Sequence, residues 1–253
     1  MKLLICGKGG SGKSTVSVLM ARAFQRMGKR VLLVDADESN LGLHRLAGSP
    51  SAETLLEALG GKAGLRSRKQ AAFPSTTCPA FYETAFTWED IPERCVPDAR
   101  GIRLLKIGKI KTFGEGCACP MGRLFRMLFS ALALADNDLV IVDAAAGVEH
   151  FGRGLDGQCD QILCVVDPSY ESIMMARRVT ELAREANLPV ALVLNRTTPD
   201  VEKELTAALD GTDIIGCLPD SRVIFRNNLQ GKPLDTDPPE LVSICDAILE
   251  SGT

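Results

Sequence analysis

The sequence predicts a doubly wound α/β fold, with a mainly parallel sheet and helices on both faces. Three observations predict it. Six short runs are nearly continuous in apolar residues rather than alternating, the pattern of strands covered on both faces. Stretches with helical spacing lie between those runs. A glycine-rich loop joins the first run to the first helix, the kind of strand–helix junction at which open α/β sheets hold ligands.

The predicted strands are Leu3–Cys6, Val31–Val34, Ile102–Ile107, Leu139–Val142, Ile162–Val166 and Val190–Leu194. Between the first two, Val16, Leu19, Met20, Ala23 and Met27 share one face of a helix expected to start near Lys13 and stop at Gly28, since glycine ends helices in a left-handed conformation. A second helix follows Ser169, with Ile173, Ala176, Val179 and Leu182 on one side. A third starts at Pro120, which lacks only an N–H that a first turn leaves unpaired, and carries Leu124, Met127, Leu128 and Ala131. The rhythm breaks at about 60–100, a mixed stretch holding Cys78, Trp88 and Cys95. Long irregular segments of this kind are lids, docking surfaces or mobile loops. With no repeat and no linker, residues 1–253 are expected to form a single domain carrying an inserted or lid-like segment there.

Composition narrows the class. A chain of 253 residues, 45% hydrophobic, can bury a core without disulfides. The net charge of −3 leaves no electrostatic footprint for nucleic acid. No run of about 18 apolar residues is present to span a bilayer, and Leu3–Cys6 is too short for a signal peptide. Nine cysteines, an odd number, argue for reduced thiols and a cytoplasmic location.

Gly7-Lys8-Gly9-Gly10-Ser11-Gly12-Lys13-Ser14 matches the P-loop pattern in full, directly after a strand and before a helix. Its glycines let backbone N–H groups close around phosphate oxygens, and the helix adds its positive dipole end. Lys13 is expected to reach the β- and γ-phosphates and the Ser14 hydroxyl to bind Mg²⁺. Carboxylates stand at the ends of two strands: Asp35-Ala36-Asp37 after Val31–Val34, and Asp143 after Leu139–Val142, with Gly147 following as a pivot for a switch segment. Hydrolysis requires a held Mg²⁺ and a water in line with the γ-phosphate. Asp35 and Asp143 suit the metal, through waters, and Asp37 suits the water.

The base is read as adenine. Guanine readers use Asn-Lys-x-Asp, whereas Val190–Leu194 ends in Asn195-Arg196-Thr197-Thr198 with no acid at the fourth position. The Asn195 amide has both a donor and an acceptor for an adenine edge.

Gly114-Glu115-Gly116-Cys117-Ala118-Cys119-Pro120 places two thiols before a helix N-terminus, where thiolates form readily. Two thiolates supply half of a closed soft-metal site. A two-fold axis nearby would bring two more, giving one four-sulfur site per homodimer. Such a site suits Zn²⁺ when tetrahedral and Ni²⁺ when square-planar. Cys6, Cys78, Cys95, Cys159, Cys164, Cys217 and Cys245 are read as incidental thiols, and His44 and His150 as local hydrogen-bonding groups.

Gly7-Lys8-Gly9-Gly10-Ser11-Gly12-Lys13-Ser14-Thr15, with its additional Lys8, resembles the deviant loop of the MinD-like ATPases. The resemblance implies an ATP hydrolase that works as a dimer. Lys8 would point at the nucleotide of the other subunit, Asp37 would orient the water, and Pro219-Asp220 would supply a second adenine contact. Together with Gly114–Pro120 and Gly147–Gly154, the loop resembles the CooC-like branch of that class, accessory ATPases for nickel insertion into carbon monoxide dehydrogenase. That branch implies Cys117 and Cys119 as interface ligands for Ni²⁺ or Zn²⁺ and an apo nickel enzyme as partner: carbon monoxide dehydrogenase or a relative. Two rivals share the fold. A MinD- or ParA-like positioning ATPase needs a membrane- or DNA-binding surface, but the tail Glu240–Glu250 has an acidic polar face. An iron–sulfur reductase related to nitrogenase iron protein takes its cysteines from two separated positions, not from Cys-x-Cys.

Overall fold

The computed structural model describes residues 1–62, 64, 85–109, 119–148, 151 and 156–251. Its strands are β1 (Lys2–Gly7), β2 (Arg30–Asp35), β3 (Ile102–Lys106), β4 (Asp138–Asp143), β5 (Gln161–Val166), β6 (Val190–Thr197) and β7 (Ile214–Pro219). They form one seven-stranded sheet in the order β3-β2-β4-β1-β5-β6-β7, and every pair is parallel. All six predicted strands are present. The seventh, β7, was not predicted: Gly216 splits its apolar residues into pairs, and its half-buried edge position lacks the continuous pattern of the central strands.

The helices are α1 (Lys13–Arg26), α2 (Leu43–Ala47), α3 (Leu55–Ala58), α4 (Cys119–Ala131), α5 (Tyr170–Glu185), α6 (Pro199–Ala208), α7 (Arg222–Gln230) and α8 (Glu240–Ser251). The continuous apolar runs are explained by two cores. Along β1, Leu4 and Cys6 face a layer that includes Leu124, Phe125 and Phe129 of α4 and Ala176 and Val179 of α5. Leu3 and Ile5 face the opposite layer, with Leu19 and Phe24 of α1 and Leu241 and Ile244 of α8. Alternate side chains point to opposite faces, and both faces are dry, so neither set can be polar.

Three details differ from expectation. Met27, assigned to the buried face of α1, lies past its end and is 38% exposed. The buried side of α4 is centred on Met121, Leu124, Phe125, Leu128 and Phe129 rather than on Met127 and Ala131, because two stacked phenylalanine rings, 4.0 Å apart, lie against the sheet. In the irregular stretch, Phe86, Trp88, Ile91 and Cys95 are buried in the α4 layer, and Phe86 exchanges backbone hydrogen bonds with Ala131 and Ala133. The Arg30 guanidinium covers the Trp88 ring at 5.0 Å. Residues 65–84, with Cys78, lie outside the described residues.

Gly216 also explains how α8 sits on β7. A Cβ there would lie 2.5 Å from Ile244 Cγ1 and 2.9 Å from its Cδ1. Gly216→Ala is expected to lower stability by about 1–3 kcal/mol through overpacking, read as a shift in the urea midpoint. An unchanged midpoint would mean that α8 does not bear on this strand.

Candidate active site

From the end of β1 to the start of α1, residues 7–12 follow a path that only glycine can take at three points. Gly7, Gly10 and Gly12 have φ of 140°, 83° and 99°, and a Cβ on Gly7 would meet the Val165 carbonyl oxygen at 2.5 Å. Ser11 N donates to Lys8 O at 3.2 Å, and Lys13 Nζ donates to the same carbonyl at 3.1 Å. The lysine therefore lies curled over the loop, as a phosphate-binding lysine must. Gly147, with φ 92°, donates its N–H to Gly7 O at 3.2 Å and closes the opposite wall.

Asp35 and Asp143 are register partners at the ends of β2 and β4. Asp143 Oδ2 accepts from Ser14 Oγ at 2.6 Å and Oδ1 from Ser17 Oγ at 3.3 Å. Asn40 Nδ2 donates to Ser14 Oγ at 2.9 Å and to Asp143 Oδ2 at 3.3 Å. Asp35 forms an ion pair with Lys109, Nζ to Oδ1 2.7 Å, and the same ammonium donates to Asp37 O at 2.5 Å. The Asp37 carboxylate accepts from Ser39 N and Ser39 Oγ at 2.9 and 2.6 Å. Burial pushes Asp35 up to about 7, with Lys109 pulling the other way and Asp143 adding to the rise. Burial likewise pushes Asp143 up to about 6, against the Ser14 hydrogen bond and the Lys13 charge. Two dry carboxylates and a hydroxyl are an all-oxygen, under-neutralised donor set, which fits Mg²⁺.

Lys8 folds back within its own chain. Its Nζ donates to Ser169 Oγ at 2.9 Å and lies 3.6 Å from Asp167 Oδ2, at the end of β5. Ser169 in turn donates to Asp167 Oδ1 at 2.9 Å and caps α5. This partly exposed pair is worth at most about 1 kcal/mol, so a phosphate can compete for the lysine.

The residues predicted to meet the base converge. Asn195, Arg196, Pro219 and Asp220 line one cavity of about 820 Å³ beside the loop, with Thr15, Leu218, Ile224 and Phe225. Asn195 Nδ2 donates to Ser11 O at 2.8 Å and Arg196 to Gly10 O at 3.0 Å, so both residues brace the phosphate loop. A Cβ on Gly12 would strike Asn195 Nδ2 at 2.3 Å. Thr15 Oγ1 donates to Asn228 Oδ1 of α7 at 3.3 Å.

Asn40, Ser17, Lys109, Asp167 and Ser169 were missed by sequence reasoning. Ser17 had a weak signal, one helical turn beyond Lys13, and Asn40 lies three residues past Asp37; Lys109, Asp167 and Ser169 reach the site from distant segments. Cys117 lies outside the described residues, as do Glu149, His150 and residues 152–155. Cys119 is the first residue of α4. Among the described residues no group of three or more His, Cys, Asp or Glu could hold a metal, and no helix is long and apolar enough to cross a membrane. Burial and Lys106 hold His44 below the usual histidine range. Burial pushes the Cys217 and Cys245 thiols up to about 11 and about 12, which leaves them inert.

Residues 3–234 match the CobQ/CobB/MinD/ParA nucleotide binding domain family. The chain is 36% identical to an uncharacterised ATP-binding protein of Methanocaldococcus jannaschii, over 98% of this chain and 99% of the relative. It is 32% identical to the carbon monoxide dehydrogenase accessory protein CooC of Rhodospirillum rubrum, over 87% of this chain and 83% of that protein. In fold it is similar to the septum site-determining protein MinD of Pyrococcus horikoshii, solved with Mg-ADP. The TM-score is 0.67 at 18% identity, covering 98% and 95% of the two chains.

The raised Asp143 carries a pH signature. Between its ordinary value of 3.8 and about 6, the folded chain keeps a proton that the unfolded chain has released. Its contribution to stability therefore falls as pH rises through that window and is constant above it, by about 3 kcal/mol in all. Asp143→Asn, which still accepts from Ser14, should remove that slope. In urea titrations without nucleotide or Mg²⁺, the variant should gain on the wild type from pH 4.5 to 7; parallel curves would contradict the raised value.

Proposed function

The chain belongs to the CobQ/CobB/MinD/ParA nucleotide-binding family and is an ATPase of the MinD/ParA type, and from that premise we propose that it is a dimeric metallochaperone ATPase. It assists insertion of nickel into carbon monoxide dehydrogenase or a related nickel enzyme, in the cytoplasm. The observation that carries this reading is Cys117-Ala118-Cys119 at the entry to α4, in a chain 32% identical to a carbon monoxide dehydrogenase accessory protein.

In this reading ATP lies with its phosphates in loop 7–14 and its base in the cavity of Asn195, Arg196, Pro219 and Asp220. Lys13 turns from the Lys8 carbonyl to the β- and γ-phosphate oxygens. Ser14, Asp35 and Asp143 hold Mg²⁺, which when bound supplies charge compensation on those oxygens. Asp37 orients the attacking water. Lys8 leaves Asp167 and Ser169 and reaches the nucleotide of the second subunit, so that hydrolysis waits for the closed homodimer. Closure brings Cys117 and Cys119 of both subunits together around one Ni²⁺ or Zn²⁺, the cargo. Hydrolysis reopens the dimer and changes that site.

Membrane attachment through the tail helix, one form of the positioning reading, is disfavoured. Leu241, Ile244, Cys245 and Ile248 of α8 are buried against the sheet layer that includes α1, which leaves that apolar face unavailable to lipid.

Two measurements test the proposal. Lys13→Ala should abolish hydrolysis; turnover near the native rate would remove the loop from the chemistry. Equilibrium dialysis against Ni²⁺, anaerobic and reducing, should give about one ion per two chains, lost in Cys117→Ser/Cys119→Ser. Equal binding by both proteins, or none by either, would leave an ATPase without a metal role.

A further inference from the structure

Lys109 is the one described cation that touches both ends of the Asp35–Asp37 turn, and no motif singles it out. Its side chain is 7% exposed and that of Asp35 2%. A buried ion pair of this kind persists only where its geometry is held, because both groups have lost their water. Here it is held. Ile107 N donates to Asp35 O at 3.1 Å, which fixes the exit of β3 against the end of β2. Gly108 packs so closely that a Cβ would meet Met121 at 2.8 Å and Leu56 at 3.3 Å. The backbone at Lys109 is thus anchored in the core, and the lysine is a strut of set length from that anchor to the turn.

The strut ends at the peptide of the residue assigned to the attacking water. Ser39 holds the Asp37 carboxylate from one side, and Lys109 holds the Asp37 carbonyl from the other. Between them Ala36 N donates to Asp143 O at 3.0 Å. Among the described residues, the Lys109 ammonium bonds to Asp35 and Asp37 and not to the phosphate loop, whose own braces are Asn195 and Arg196, on the far side of the site.

We infer that Lys109 is a positioning residue for ATP hydrolysis, setting the direction of the Asp37 carboxylate through the Asp37 carbonyl while leaving nucleotide binding to the loop. The inference rests on the assignment of Asp37 to the attacking water. Its signature is a split between turnover and affinity, since displacing a water-orienting group by about 1 Å can cost on the order of a hundredfold in rate, while ground-state contacts to the phosphates are unchanged.

The test is a double-mutant cycle in kcat at saturating Mg²⁺, with Lys109→Met, Asp37→Ala and the two combined. Lys109→Met should lower kcat by roughly tenfold or more, with the KM for ATP within about threefold of native. In the Asp37→Ala background the same change should cost less than about twofold, because residues that act through one another are not additive. Lys109→Arg, which keeps the charge and a donor, should recover part of the loss. A Lys109→Met protein with native kcat overturns the inference, as does an equal loss in both backgrounds or a loss confined to KM. Full turnover by Asp37→Ala alone is the separate failure of the water assignment, visible without any Lys109 variant, and it overturns the inference as well. Thermal melts and binding of a non-hydrolysable ATP analogue check that each variant is folded. Should Lys109→Met fail to fold, Lys109→Gln takes its place, and failure of both makes the residue structural.

Discussion

Asp35 and Asp143 stand side by side where β2 and β4 end, and both are shut away from water. Two neighbouring anions in a dry place repel each other and forgo hydration, and the arrangement of the surrounding segments answers that cost. The first turn of α1 brings Ser14 and Ser17 to Asp143, the segment after β2 returns Asn40 to the same carboxylate, and the exit of β3 delivers Lys109 to Asp35. Three parts of the chain far apart in sequence are thereby pinned to one pair of oxygen donors. One lysine leaves the charge of that pair only partly neutralised.

The cavity and the glycine-rich loop form a single mechanical unit for a related reason. Asn195 and Arg196, near the end of β6, donate to the carbonyls of Ser11 and Gly10 and so tie that strand to the loop. The same two residues line the cavity of about 820 Å³ beside the loop. Any ligand entering that cavity therefore meets side chains already bonded to the glycine-rich loop.

Contiguous features were legible in the sequence. The loop from Gly7 to Thr15 carries its chemistry in adjacent positions, and the strands flanking Asp35 and Asp143 declare themselves by unbroken apolar runs. What was illegible depends on pairing across the fold. Lys109 looks like any loop lysine until β3 is laid beside β2, and Asp167 and Ser169 acquire a role only when β5 is laid beside β1. The strand β7 was hidden because Gly216 makes room for Ile244, a requirement set by α8 nearly thirty residues later. The face of α4 was misjudged for want of knowing that Phe125 and Phe129 stack. The cysteine pair was legible as chemistry, though its thiols lie beyond the described geometry.

The wall that α7 lends to the cavity beside the loop differs in kind from the strands opposite. None of the residues of α7 is buried; Phe225 and Leu229 lie largely in the open, and the helix is held by its Ser221 and Gly231 caps, by Thr15 reaching Asn228 and by the half-buried Ile224 packed on the core. Local opening free energy falls with the amount of apolar surface an element buries, so α7 can fray or swing while the seven strands stay intact. The cavity thus has a loosely held wall that can move without disturbing the sheet that carries the carboxylates.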